Sequence, residues 1–223
     1  MKISKLTRRE REKLKRRNDI LEAAANRFFK NGYDEVSMDD IAADLELSKT
    51  TLYLYFKNKA SLYFAVVIKG EVILLDTFKD AVKNEKTGLG KIKSIILAYY
   101  HYIQVYSDYY QLNLSTRSPR FMKLLESNED NETKIENAEE YIELKKDLLG
   151  ILTEAISLGI KDGTLRKDLD PIQTVMFLGS TIEDMVLLSP VNQLLLETYE
   201  ITTKGYLQHS IDMLLQGIAR KKE

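Results

Sequence analysis

The sequence contains no cysteine, which excludes disulfides and cysteine-ligated metals. Its two histidines, His101 and His209, lie too far apart to suggest a histidine metal cluster, and no cofactor is expected. Three prolines and ten glycines leave few breaks in 223 residues, and the alternating apolar patterns of strands are scarce. The longest uncharged run, residues 94–107, is too short to span a bilayer. The basic N-terminus is not followed by the apolar core of a signal peptide. A cytoplasmic protein without membrane contact is therefore expected. No nucleophile–base–acid set, glycine-rich phosphate loop or metal-ligand spacing is visible, so an enzyme is not expected.

What remains is helix. Hydrophobic residues make up 44% and charged residues 30%, the balance of an ordinary globular chain. Ile20, Leu21, Ala24, Ala25 and Phe28 recur at helical spacing, and Asn31-Gly32 supplies a stop. Each proline follows a capping residue, in Ser118-Pro119, Asp170-Pro171 and Ser189-Pro190, so all three mark helix starts. Lys161-Asp162-Gly163 reads as a turn. The pattern predicts helices over 7–31, 38–45, 49–55, 58–84, 89–107, 108–116, 119–127, 132–161, 171–188 and 191–218. Residues 126–143, with eight acidic side chains against one lysine, read as starting in a solvated loop or helix end. The expected fold class is all-α.

The net charge of −1 conceals an asymmetry. Residues 1–59 carry fourteen Lys/Arg against ten Asp/Glu, whereas the remainder carries nineteen against twenty-four. Within the first seventeen residues nine are basic and two acidic. A basic end on an acidic chain suits a polyanionic partner. It equally suits a solvated helix face held by pairs such as Glu12 with Arg16.

Residues 37–56 have a distinct rhythm, two short helices among long ones. Ser37 can cap the first, with Asp39 and Asp40 in its first turn. Glu46-Leu47 makes a tight turn and Ser48 caps the second helix, whose Leu52 and Phe56 point back toward Ile41, Leu45 and Phe28. This is a helix-turn-helix pattern. The second helix lies in "SKTTLYLYFKNKASL", residues 48–62, and offers Lys49, Thr50, Thr51 and Tyr53 outward. Short polar side chains near a helix start reach base edges in a major groove, while tyrosine hydroxyls and lysines suit phosphate oxygens. Asn58 can cap the next helix, where Lys59 adds a further phosphate site.

The stretch "ILEAAANRFFKNGYDEVSMDDIAADLELSKTTLYLYFKNKASLYFAVV" resembles the DNA-binding domain of the tetracycline-repressor (TetR) family. The matching residues are the Ile-x-x-Ala-Ala from Ile20, Phe28, Gly32-Tyr33, Ser37-Met38, Ile41-Ala42, Leu47-Ser48, Leu52-Tyr53, Phe56, Lys59 and Leu62. Where the family's turn carries Ala-Gly-Val, this chain has Leu45-Glu46-Leu47. A left-handed Glu46 would cost on the order of 1 kcal/mol.

The resemblance implies a three-helix helix-turn-helix DNA-binding domain followed by a larger helical ligand-binding and dimerisation domain. The corresponding division is a basic extension over 1–13, the DNA-binding domain over 14–74 with its helix-turn-helix at about 38–57, and the second domain over 75–223. The partner is double-stranded DNA, with Ser37, Met38, Lys49, Thr50, Thr51, Tyr53, Tyr55, Lys57 and Lys59 facing it. Arg8, Arg9 and Lys13 track the minor groove or belong to a solvated helix. The implied regulator is a homodimeric repressor on a near-palindromic operator, released when a ligand shifts the helix over 58–84 and with it the spacing of the two reading helices.

Broad apolar stripes over 171–188 and 190–218 independently suit an interface, with Ile182, Met185, Leu195, Tyr199, Tyr206 and Met213 its candidates. Six of the thirteen tyrosines fall within residues 99–110. Tyr99, Tyr102, Tyr106 and Tyr110 suit either a core stripe or a pocket for an aromatic or amphipathic effector, with Phe121, Leu149, Leu152, Met176 and Phe177 as further lining. Glu183 and Asp184, inside an apolar helix, suit a cation, a dimer partner or a solvated edge. A helical adaptor or lipid-binding module would account for the apolar helices but not for the hydroxyl-rich second helix.

Overall fold

The computed structural model describes residues 7–126 and 135–220. Eleven helices fill the described residues. They are α1 (Arg8–Asn31), α2 (Met38–Asp44), α3 (Lys49–Tyr53), α4 (Lys59–Val82), α5 (Gly88–Val105), α6 (Ser107–Ser115), α7 (Pro119–Glu126), α8 (Ala138–Asp162), α9 (Pro171–Val186), α10 (Pro190–Thr198) and α11 (Thr203–Ile218). The fold class is all-α. The helix starts are set by side-chain caps. Thr7 and Glu10 form a reciprocal capping box at α1, Ser37 and Asp40 another at α2, and Asp170 and Ser189 cap the proline-led α9 and α10. Asn58 accepts the Ser61 N–H at 2.7 Å ahead of α4. Most of the acidic stretch lies outside the described residues, at 127–134; residues 135–137 form a turn before α8.

The single helix expected over 191–218 is two. Glu200 adopts φ +56°, and the Ile201 and Glu200 N–H groups return to the carbonyls of Leu196 and Glu197 at 2.8 and 3.0 Å. That pattern closes α10 on a left-handed residue, and the Thr202 side chain then caps α11.

The chain packs as two compact units. The first comprises Met1–Ile73 and Tyr106–Leu144. Its core runs from Ile20, Ala24 and Phe28 of α1 through Ile41, Leu52 and Phe56 to Leu62, Tyr63 and Phe64 of α4, and takes in Leu112, Phe121, Ile135 and Tyr141. Aromatic rings hold it together: Tyr63 stacks on Phe121 with centroids 5.0 Å apart, and Phe64 meets Tyr141 edge-on at 5.3 Å. The Tyr63 hydroxyl donates to the Leu112 carbonyl at 2.9 Å, and burial pushes that phenol well above its ordinary range.

The second unit comprises Leu74–Val105 and Lys145–Glu223. The start of α5 lies against α8 at Gly88 and Gly159, where a Cβ on Gly88 would sit 2.0 Å from the Gly159 nitrogen. Asp162 ties this junction by accepting from the Gly88 N–H at 2.8 Å and from the Thr164 hydroxyl at 2.6 Å. Burial raises its pKa, but the hydrogen bonds outweigh that and hold the carboxyl below its ordinary value. The end of α11 is fastened by Arg166, whose backbone N–H donates to Ile218 at 3.0 Å and whose guanidinium donates to Gly217 at 3.0 Å.

Candidate nucleic-acid interface

Two polar locks orient the short helices of the first unit. The Arg27 guanidinium donates twice to the Asp44 carboxylate, each at 2.6 Å, fixing the end of α2 against α1. This pairing raises the Arg27 pKa and lowers that of Asp44. At the other end of α2, the Ser37 hydroxyl and N–H donate to Asp40 at 2.6 and 2.9 Å, holding that carboxyl below its ordinary range. The α2–α3 turn places Glu46 at φ +54°, with the Leu47 N–H reaching the Ala42 carbonyl at 2.9 Å. Ser48 then caps α3 by accepting the Thr51 N–H at 3.1 Å.

The consequence is a short helix anchored on its inner side by fully buried Leu52 and by Phe56, with a polar outer side. Lys49, Thr50 and Ser37 are exposed, and Tyr53 is 39% exposed. Thr51 is half-buried, its hydroxyl 2.8 Å from that of Ser48. Lys49 pairs with Asp39 at 2.9 Å, and exposed Lys57 with Glu136 at 3.4 Å. Both are weak exposed pairs that a phosphate can displace.

Two expected contacts take structural roles instead. Met38 is buried in the core. The Lys59 ammonium donates to the carbonyls of Tyr33, Asp34 and Val36 at 2.8, 3.4 and 2.9 Å and lies 4.3 Å over the Tyr33 ring. Burial lowers its pKa. Its three protons face carbonyls of the chain following α1. Tyr55 is half-buried and packs against the core.

The sequence reading missed Leu54, 75% exposed at the end of α3. It also missed a cleft in which Leu54 and Tyr55 face Arg9, Glu12, Lys13 and Arg16 of α1. The 9, 13, 16 spacing was the available signal. Arg120 of α7 was likewise unread; it pairs with Asp34 and lies 4.8 Å over the Tyr33 ring.

The tyrosine-rich segment divides between the units. In the second, Tyr102 is buried and the Tyr99 hydroxyl donates to Glu183 at 3.0 Å, with Leu149 and Leu152 half-buried and Met176 and Phe177 exposed. In the first, Tyr110 and Phe121 are buried and Tyr106 is partly exposed. Among the interface candidates Ile182 and Met185 are buried, Tyr206 is half-buried, and Leu195, Tyr199 and Met213 are exposed.

Capped α2, a tight turn and an outward-facing α3 define a helix-turn-helix DNA-binding protein. Residues 20–66 match the model of the bacterial regulatory proteins of the tetR family. Over these residues the chain carries that family's helix-turn-helix DNA-binding domain, and it is similar to transcriptional regulators. It is 23% identical over 203 residues to the fatty acid metabolism regulator protein of Bacillus subtilis, covering 91% of this chain and 95% of that one. It is 30% identical over 97 residues to the HTH-type transcriptional activator FasR of Mycolicibacterium smegmatis, 44% of each chain. Its fold is similar to that of the fatty acid degradation regulator FadR from Bacillus halodurans, with TM-score 0.61 and 18% identity over 90% of this chain and 98% of that one.

Proposed function

We propose that this regulator is a homodimeric repressor that binds a near-palindromic operator and leaves it when a small amphipathic ligand binds. The observation that carries this reading is the outer side of α3, where Lys49, Thr50 and Tyr53 are exposed on a helix anchored by buried Leu52 and Phe56. Thr50 reads base edges, and Lys49, Tyr53 and Lys57 engage phosphates. Residues 14–74 form the DNA-binding domain and residues 75–223 the ligand-binding and dimerisation domain. Because α4 is unbroken from Lys59 to Val82, movement of that helix alters the spacing of the two reading helices. Tyr99 and Tyr102 with Leu149 and Leu152 contribute to the ligand site, and similarity to a regulator named for fatty acid metabolism makes fatty acids the first effectors to try. The protein acts in the cytoplasm and has no catalytic role.

Fluorescence anisotropy with the duplex upstream of the chain's own gene, against a scrambled duplex, tests this. Specific binding that is lost on Thr50→Ala and released by a fatty acid is expected. Equal, strongly salt-sensitive binding to both duplexes overturns the reading. A promoter–reporter assay reads the sign of regulation, repression being expected.

A further inference from the structure

The N-terminal half of α1 extends far beyond the core. Its first buried residue is Ile20, yet the helix starts at Arg8, fixed there by the Thr7–Glu10 capping box. Residues 7–16 are all exposed, and they carry Arg8, Arg9, Arg11, Lys13, Lys15 and Arg16 against Glu10 and Glu12. Successive helical residues turn by about 100°, so the basic residues separate into two faces. Arg9, Lys13 and Arg16 share one face, which lines the cleft shared with Leu54 and Tyr55 at the end of α3. Arg11 and Lys15 lie on the opposite face.

A helical rod cannot act as a minor-groove arm. An α-helix with side chains is about 10–12 Å across and the minor groove of B-DNA about 6 Å wide. A basic stripe beside the reading helix meets the sugar–phosphate backbone that borders the major groove. From Arg9 to Arg16 the stripe is roughly 10 Å long, which spans about three phosphates of one strand in axial projection.

We propose that Arg9, Lys13 and Arg16 form a second, sequence-independent DNA site, a helical clamp on the phosphates flanking the base pairs that α3 reads. The proposal rests on the DNA-binding reading of α3 for the duplex's position. Leu54 and Tyr55 form the apolar floor of this site, and Glu12 is the acidic residue that the phosphates must approach. Exposed apolar Leu54 at the end of a reading helix thereby gains a role, packing against deoxyribose.

The test compares two full-length variants of equal charge and composition change, Lys13→Gln/Arg16→Gln on the stripe and Arg11→Gln/Lys15→Gln on the opposite face. Affinity is measured by anisotropy on the upstream and scrambled duplexes from about 0.1 to 0.3 M salt, where screening within about 10 Å suppresses unspecific charge effects. The stripe variant should weaken binding to both duplexes by the same factor. Its log–log salt slope should be shallower by about 1.8 per bound protomer, about 3.6 for a dimer on two half-sites, from about 0.9 for each lost phosphate contact. The opposite-face variant should keep the wild-type slope. Equal slopes in the two variants, whether both changed or both unchanged, overturn the clamp. Wild-type binding without preference for the upstream duplex tells against the regulator's proposed site instead, and leaves the contrast between the variants measurable on either duplex.

Discussion

Lys59 shows how a residue can belong to a motif while its side chain is engaged within the fold. A lysine beside a helix start near a DNA-reading unit suggests a phosphate contact, but its three carbonyl acceptors and the Tyr33 ring become visible only when α4 meets the chain after α1. Removing the ammonium leaves those carbonyls without their donor. Lys59→Met should therefore lower unfolding free energy by about 1–3 kcal/mol, read by urea titration, whereas Lys57→Met at the exposed Glu136 pair should change it by less than about 1 kcal/mol. Glu46 was legible in the opposite sense. The departure from the family's glycine anticipated a strained turn, and φ +54° bears it out. Glu200, at φ +56°, had no such precedent to expose it. Glycine at either position should raise stability by about 0.5–1 kcal/mol, because relief of the left-handed strain exceeds glycine's entropic penalty. Unchanged or lowered urea midpoints in both variants would contradict the strain argument.

At the scale of the element, starts were easier to read than ends. Hydroxyl and carboxylate caps before Met38, Lys49, Pro171 and Pro190 are local chemistry, and the helices begin there. The break between α10 and α11 carries no glycine or proline, so a continuous apolar pattern concealed it. Its Thr202 cap was the one local cue. The α5–α8 junction was also hidden, because Gly88 and Gly159 are 71 positions apart and nothing local pairs them. Gly88→Ala would drive a Cβ into the Gly159 backbone at 2.0 Å and the Ala155 carbonyl at 2.5 Å, both unable to step aside cheaply. It should destabilise by about 1–3 kcal/mol or more. Gly150→Ala on the same α8 meets nothing within 4 Å and should stabilise by up to about 1 kcal/mol through helix propensity. Thermal melts of the two variants should move in opposite directions; melts that move together would refute the packing account of Gly88.

At the scale of the whole molecule, the helix-turn-helix was legible because its residues pack locally, from Phe28 through Leu52 to Leu62. The clustering of residues 106–144 with 1–73 was not, since pairs such as Tyr33 with Phe121 join chain segments that no periodicity links. The second unit carries exposed apolar surface. On α10 no residue is buried; Val191, Leu194 and Tyr199 are 66%, 62% and 73% exposed, and Met213 of α11 is 61% exposed. Apolar area of this kind is rarely left to water. The dimer reading makes it the interface, which shifts the expected contacts from buried Ile182 and Met185 toward Leu195, Tyr199 and Met213. Sedimentation should therefore give about twice the 25.8 kDa chain mass for the wild type. Leu194→Glu/Tyr199→Glu should sediment nearer the single-chain mass with its far-ultraviolet dichroism intact. It should also lose the tight binding of a two-half-site duplex, because one reading helix forfeits the effective concentration supplied by its twin. A variant that stays dimeric would place the interface elsewhere on the second unit. A wild-type chain that sediments as a monomer at micromolar concentration would remove the two-fold operator from the mechanism altogether.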